Sequence, residues 1–277
     1  MSRIVRINDL SAEEIRIFHA LNENQVKRIY EPELGLFIAE SPKVIVRALD
    51  AGYEPALALF EEGLISEANQ DLLGRLDGIT VYEASREVLL GITGYNLTSG
   101  ALCAFRRKLQ LGIQEVCDNA KRIVVLENVE NPTNMGAIFR SAAALNIDAV
   151  ILSGDCTDPL YRRAIRVSMG NVFLIPWTYY GEKTDSWYAA GMKELSEMGY
   201  TTVAMALSDD SVRLDDKRLC GHDKMAIIMG TEGEGLRKST IEASDYVVRI
   251  PMSHEVDSLN VAAASAVAFW QLAAKND

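Results

Sequence analysis

The chain is poor in the residues that hold metals and disulfides. It has three histidines and four cysteines in 277 residues. Cys103, Cys117, Cys156 and Cys220 lie far apart with no C-x-x-C pair. That spacing suits reduced, mostly buried thiols better than a zinc site or a disulfide framework. HEVDS (254–258) opens like the metalloprotease motif H-E-x-x-H, but Ser258 stands where the second histidine belongs. No metal is expected, and His254 reads as a residue of an exposed loop. No apolar run is long enough to span a membrane, and MSRIVRINDL lacks the apolar core of a signal peptide. The expected location is therefore cytoplasmic. There is no G-x-S-x-G elbow of a serine hydrolase, no internal repeat and no low-complexity segment.

Positive charge is also short. The net charge is −11, with −4 on residues 1–113 and −7 on residues 114–277. Such a balance argues against nucleic acid unless basic groups cluster on one surface. Arg106-Arg107-Lys108 and Arg162-Arg163 with Arg166 are two local clusters. Each alone reads as a solvated surface group.

What is present is an ordinary globular composition, 48% hydrophobic and 24% charged, long enough for two modest domains. Strands are expected at 35–40, 55–61, 78–83 and 101–107, with helices from Pro42 to about Ala51 and near 66–74 and 85–91. Ser41 and Pro42 supply an N-cap and a first-turn proline. Residues 1–107 thus read as a small α/β domain, 108–120 as a linker and 121–277 as a second α/β domain. In the latter, strands are expected at 122–128, 148–153, 172–177, 201–207, 225–230 and 246–251. Helices are expected at 133–146, from near Asp158, at 185–198 and at 258–274. The last is apolar on most faces, which predicts burial in the domain or at a subunit contact. Pattern alone gives a doubly wound sheet.

Three segments concentrate glycines and single polar residues where strands end: NPTNMGAIFR (131–140), IIMGTEGEGL (227–236) and RIPMSHEVDSLNV (249–261). Ligands of open α/β sheets bind outside the carboxyl ends of strands, so the three can converge on one molecule. GTEGEGL is neither a Walker A loop, since Leu236 occupies the lysine position, nor a G-x-G-x-x-G fingerprint. Glu232 and Glu234 would repel phosphate and favour a ligand carrying positive charge; the plain alternative is a tight turn. Arg140 stands among apolar helix residues, where a guanidinium needs a partner such as a phosphate; a surface ion pair is the simpler fate. Ser258 and Asn260 at the start of the last helix are natural N-caps.

The three segments together resemble the motifs of the SpoU/TrmH RNA ribose methyltransferases of the SPOUT class. Asn134, Gly136, Ala137 and Arg140 match N-x-G-A-x-x-R, MGTEGEGL resembles the second motif, and IPM followed by SLNV the third, in the same order. The resemblance implies an S-adenosylmethionine-dependent RNA 2′-O-methyltransferase acting on rRNA or tRNA. It implies a C-terminal knotted parallel-sheet domain with a small N-terminal α/β substrate-binding domain, in a homodimer whose active site draws on both subunits. Arg140, Asn134, Glu232, Ser258 and Asn260 become the catalytic set. Gly230, Ile250 and Leu259 become main-chain cofactor contacts, with Thr231 and Gly235 beside them and Met252 and Ala206 along the adenine. The sequence departs from the pattern at His254, where glycine is usual, and at Ala262, where a small hydroxyl residue is usual. Two alternatives stay open: methylation of another RNA atom, and a non-catalytic RNA-binding protein of the same fold.

Overall fold

The computed structural model describes residues 3–9, 11–19, 35–64, 70–93, 100–181, 185–208, 210–231, 233–254 and 258–273. The chain divides into two compact units. The first is Met1–Leu109 with Leu160–Leu174, and the second is Gln110–Pro159 with Ile175–Asp277.

The first unit is a mixed sheet in the order β1-β4-β3-β5-β2. Its strands are β1 (Arg3–Ile7), β2 (Leu36–Glu40), β3 (Pro55–Glu61), β4 (Thr80–Ala84) and β5 (Ala101–Arg106). β2 is buried along its whole length. The Pro42–Asp50 helix follows it, with the Ser41 hydroxyl accepting from the Val44 N–H. The expected helix near 66–74 is a helix at Gln70–Arg75, and residues 65–69 lie outside the described residues. β1 was not anticipated; RIVRI is too short for its alternation to stand out.

Residues 172–177 do not form the expected strand. They hold a 3-10 turn at Asn171–Phe173, and the strand starts only at Trp177. Tertiary packing overrides the apolar run here. The Arg47 guanidinium donates to the Met169 carbonyl at 2.6 Å and to the Asn171 side chain. Phe173 sits against Phe37 and Tyr53, at 5.5 and 5.3 Å between ring centroids. The expected helix near Asp158 begins at Arg162 and ends at Val167. Arg162 pairs with the buried carboxylate of Glu40, and Arg166 reaches it at 3.8 Å.

The second unit is a seven-stranded sheet in the order β10-β12-β9-β11-β6-β7-β8. Every pairing in it is parallel. The strands are β6 (Arg122–Leu126), β7 (Ala149–Leu152), β8 (Trp177–Tyr179), β9 (Thr201–Met205), β10 (Val212–Arg213), β11 (Met225–Met229) and β12 (Tyr246–Arg249). Burial on both faces, as expected for a parallel sheet, accounts for the unbroken apolar runs of β11 and most of β6. β10 has two residues and carries no sequence signal. The Pro132–Ala144 helix starts at Asn131, whose side chain accepts from the Thr133 N–H at 2.8 Å. It packs against the terminal Val261–Leu272 helix. That helix buries Val261, Ser265, Ala268 and Phe269 but leaves Val267 and Trp270 exposed. Among the described residues no helix is long and apolar enough to cross a membrane, and no group of three or more metal-ligating side chains gathers.

The expected helix 185–198 contains a π-turn, Trp187–Gly191, before its α-helical part Met192–Glu197. The cause is the Trp187 indole, which is 1% exposed. A Cβ on Gly191 would lie 2.0 Å from its ring. Gly191→Ala is therefore expected to lower unfolding free energy by about 1–3 kcal/mol through overpacking. Urea denaturation followed by Trp fluorescence checks it; an unchanged midpoint would contradict this packing account.

Candidate functional site

The carboxyl ends of β9, β11 and β12 open onto a pocket of about 900 Å³. Main-chain and apolar groups dominate its lining. Met205, Ala206 and Leu207 come from β9 and its exit, Gly230, Thr231 and Gly235 from the loop after β11, and Ile250 and Met252 from the exit of β12. Ser258, Leu259 and Asn260 close it at the start of the last helix. All seven residues expected at a cofactor therefore border one cavity.

The glycines answer to the backbone first. Gly233 and Gly235 have φ of +90° and +70°, and Thr231 and Gly235 form a bridge closed by the Gly235 N–H to the Thr231 carbonyl at 3.2 Å. A Cβ on Gly230 would lie 2.4 Å from the Gly235 carbonyl carbon and 2.5 Å from the Leu236 nitrogen. The tight-turn reading and the ligand reading are both served by one loop. A side chain at Gly230 collides with this chain's own backbone before it meets any ligand.

The expected catalytic set divides. Asn260 caps the last helix, accepting from the Ala262 N–H at 2.9 Å. Its amide nitrogen also donates to the Asn134 side-chain oxygen at 3.2 Å. Asn134 is buried in the Pro132–Ala144 helix, so this bond ties the first segment to the third. Ser258 lines the pocket but is not the cap. Arg140 lies six residues beyond Asn134, about 240° around the helix axis, and is exposed outside the pocket. Among the described residues it has no hydrogen-bond or ion-pair partner. Glu232 lies outside the described residues.

The basic clusters are less available than the sequence suggests. Arg107 donates to the Leu36 carbonyl at 3.1 Å. Lys108 donates to the Ala51 carbonyl at 2.5 Å and stands 4.6 Å from the Tyr53 ring centroid. Arg162 and Arg166 face Glu40.

Three charged residues beside this region were not singled out from the sequence. Arg213 and Arg249 line the pocket. Arg213 grips Asp215 through two bonds of 2.9 and 3.0 Å, and Arg249 donates to Ser211. With Glu234 on the opposite loop, the lining carries both signs. The third is Glu127, one residue past β6 and 1% exposed. An acid directly after four buried apolar residues was the one available hint.

The model of the SpoU rRNA methylase family matches residues 121–270, and the chain belongs to that family. An uncharacterized tRNA/rRNA methyltransferase of Mycobacterium tuberculosis is 39% identical over 239 residues, 86% of this chain and 80% of that protein. A 23S rRNA (guanosine-2′-O-)-methyltransferase of Bordetella pertussis is 34% identical over 198 residues, 70% of this chain and 78% of that protein. Among solved structures, an AdoMet-bound rRNA methyltransferase from Sinorhizobium meliloti matches in fold with a TM-score of 0.81, at 23% identity over 97% of both chains. An RNA 2′-O ribose methyltransferase matches with a TM-score of 0.74 at 25% identity, over 97% of this chain and 98% of that one.

His254 is exposed, as expected, and has φ of +59°. The position where the family usually has glycine is thus left-handed, which costs a side chain about 1–2 kcal/mol. His254→Gly should leave melting temperature unchanged or raised, while β-branched His254→Val should lower it. Equal melting of both variants would contradict a strained backbone at this position.

Proposed function

We propose that this chain transfers a methyl group from S-adenosylmethionine to a ribose 2′-hydroxyl of rRNA or tRNA. The observation that carries the reading is the Asn134–Asn260 bond. It links the segment bearing Arg140 to the wall of a pocket bordered by the other two segments. The activities for which the Bordetella relative and the RNA 2′-O ribose methyltransferase are named support the same chemistry.

The pocket fits the cofactor in kind. Its volume is within the range of small-molecule sites. Its apolar walls at Ala206, Ile250, Met252 and Leu259 suit an adenine, and main-chain groups at Gly230, Ile250 and Leu259 suit its polar edge. Glu234 offers a counter-charge to a sulfonium or ammonium. When bound, the cofactor supplies an electrophilic methyl whose leaving group is a neutral thioether. The chain need not protonate anything there. Its task is to hold the attacking oxygen in line, and positioning of this kind is worth about 7–11 kcal/mol in favourable cases.

Arg140 binds the phosphate of the target nucleotide and aids its 2′-hydroxyl, while Asn134, Glu232, Ser258 and Asn260 orient that group. A guanidinium does not act as a general base, because its pKa stays above about 12. Exposed Val267 and Trp270 on the last helix, with Arg140 on the helix packed against it, support a homodimer sharing its active sites. The family resemblance supports a trefoil knot in residues 121–277 and an RNA-selecting role for residues 1–107. Cys103, Cys117 and Cys156 are buried and free, Cys220 is exposed and free, and burial pushes Cys156 up to about 11. Those thiols fit a reducing cytoplasm.

Arg140→Ala should keep the fold and cofactor affinity but lower single-turnover methyl transfer by about 100-fold or more. Arg140→Lys should recover little, since an ammonium lacks the bidentate fork. Transfer of labelled methyl to RNA, with melting temperature as control, measures it. A folded Arg140→Ala protein of near wild-type rate would remove Arg140 from the mechanism.

A further inference from the structure

Glu127 touches both stems of the loop 230–236. Its main-chain N–H donates to the Met229 carbonyl at 2.8 Å, immediately before Gly230. One carboxylate oxygen accepts from the Arg237 main-chain N–H at 2.7 Å, immediately after Leu236. The other accepts from the Thr240 hydroxyl at 2.8 Å and the Trp187 indole N–H at 3.1 Å. Among the described residues no basic side chain pairs with it. A carboxylate buried without a cation is costly, and three donors to the charged form are what offsets that cost. Arg237 is further steadied by its guanidinium, 3.4 Å from the centre of the Tyr188 ring.

The loop between the two stems forms one edge of the pocket. Two of its residues are glycines at positive φ, and Gly230, Thr231, Gly233, Glu234, Gly235 and Leu236 all border the pocket. Both stems of this loop are held by Glu127, one through its main chain and the other through its buried carboxylate. Glu127 itself does not line the pocket.

We propose that Glu127 is a positioning residue that fixes the loop 230–236 for the cofactor, so that its loss is felt in cofactor affinity and not in RNA binding. This rests on reading 230–236 as the cofactor loop. Glu127→Gln is the informative change. The amide has one acceptor oxygen for three donors. With that oxygen toward Arg237, the amide N–H faces the Trp187 indole N–H. In the other orientation it faces the Arg237 N–H. Either way one buried donor is left opposed.

The experiment measures S-adenosylhomocysteine binding by calorimetry, KM for RNA, single-turnover rate at saturating S-adenosylmethionine, and melting temperature. For Glu127→Gln, Kd should rise about tenfold or more, the scale of one lost bond to a charged group. RNA KM should stay near wild type; any fall in the saturated rate reports Glu232, which the same loop carries. Thr240→Val removes one donor and keeps the carboxylate; it should raise Kd in the same direction by a smaller factor, and it carries the test if the Gln variant does not fold. A purely structural role predicts lower melting temperature with Kd and KM unchanged, and that result overturns the proposal. So does a rise in RNA KM with cofactor Kd unchanged. Wild-type protein that binds no cofactor sinks the cofactor-loop reading and this proposal with it; wild-type binding with unaltered variants sinks this proposal alone.

Discussion

The candidate site depends on the parallel registry of four adjacent strands. β11 lies between β6 and β9, with Met229 opposite Leu126 and Ile228 opposite Ala204, and Val248 of β12 stands opposite Met205. Parallel pairing sends all four chains out of the sheet at the same edge and at nearly the same level. Segments about a hundred residues apart in sequence thereby end as neighbours. A slip of one residue would invert every side chain of a strand. Burial of nearly every residue of the central strands makes such a slip costly.

Above that edge, polar side chains do the joining, and the lining is mostly apolar with Arg213, Arg249 and Glu234 among it. Asn260 serves as helix cap and as donor to Asn134, so one side chain both ends the pocket wall and fixes the first segment to it. Glu127 plays the corresponding part on the other flank. The glycines between these anchors are demanded by turn geometry, and the same compactness exposes main-chain groups to a ligand.

Much of this was legible because the central strands of the second unit are short buried runs rich in Ile, Val, Leu, Met and Ala. β6, β7, β9 and β11 lie close to their expected positions for that reason. Short strands such as β1 and β10 left no signal, and the other misses come from tertiary contact overriding local pattern. Asn171–Phe173 turns instead of extending because Arg47, Phe37 and Tyr53 hold it. Trp187–Gly191 widens to a π-turn because an indole needs room. Arg162 and Lys108 look like free cations in sequence but are held by Glu40 and by a main-chain carbonyl. The seven positions expected at a cofactor were named from the family motifs and line one pocket, whereas Glu127, Arg213 and Arg249 were not singled out. A buried acid and two strand-end arginines acquire meaning only from distant partners.

The acidic balance of the chain, −11 overall, leaves RNA recognition to local groups, of which Arg140 is exposed and without a partner among the described residues. The central claim is that the methyl acceptor is a ribose hydroxyl of RNA. The most direct measurement is mass-spectrometric mapping of modified nucleosides in rRNA and tRNA from cells with and without this protein. Loss of one 2′-O-methylated nucleotide, restored in vitro by the purified protein and S-adenosylmethionine, is the predicted result. Loss of a base-methylated nucleotide, or no change in either RNA, would contradict it.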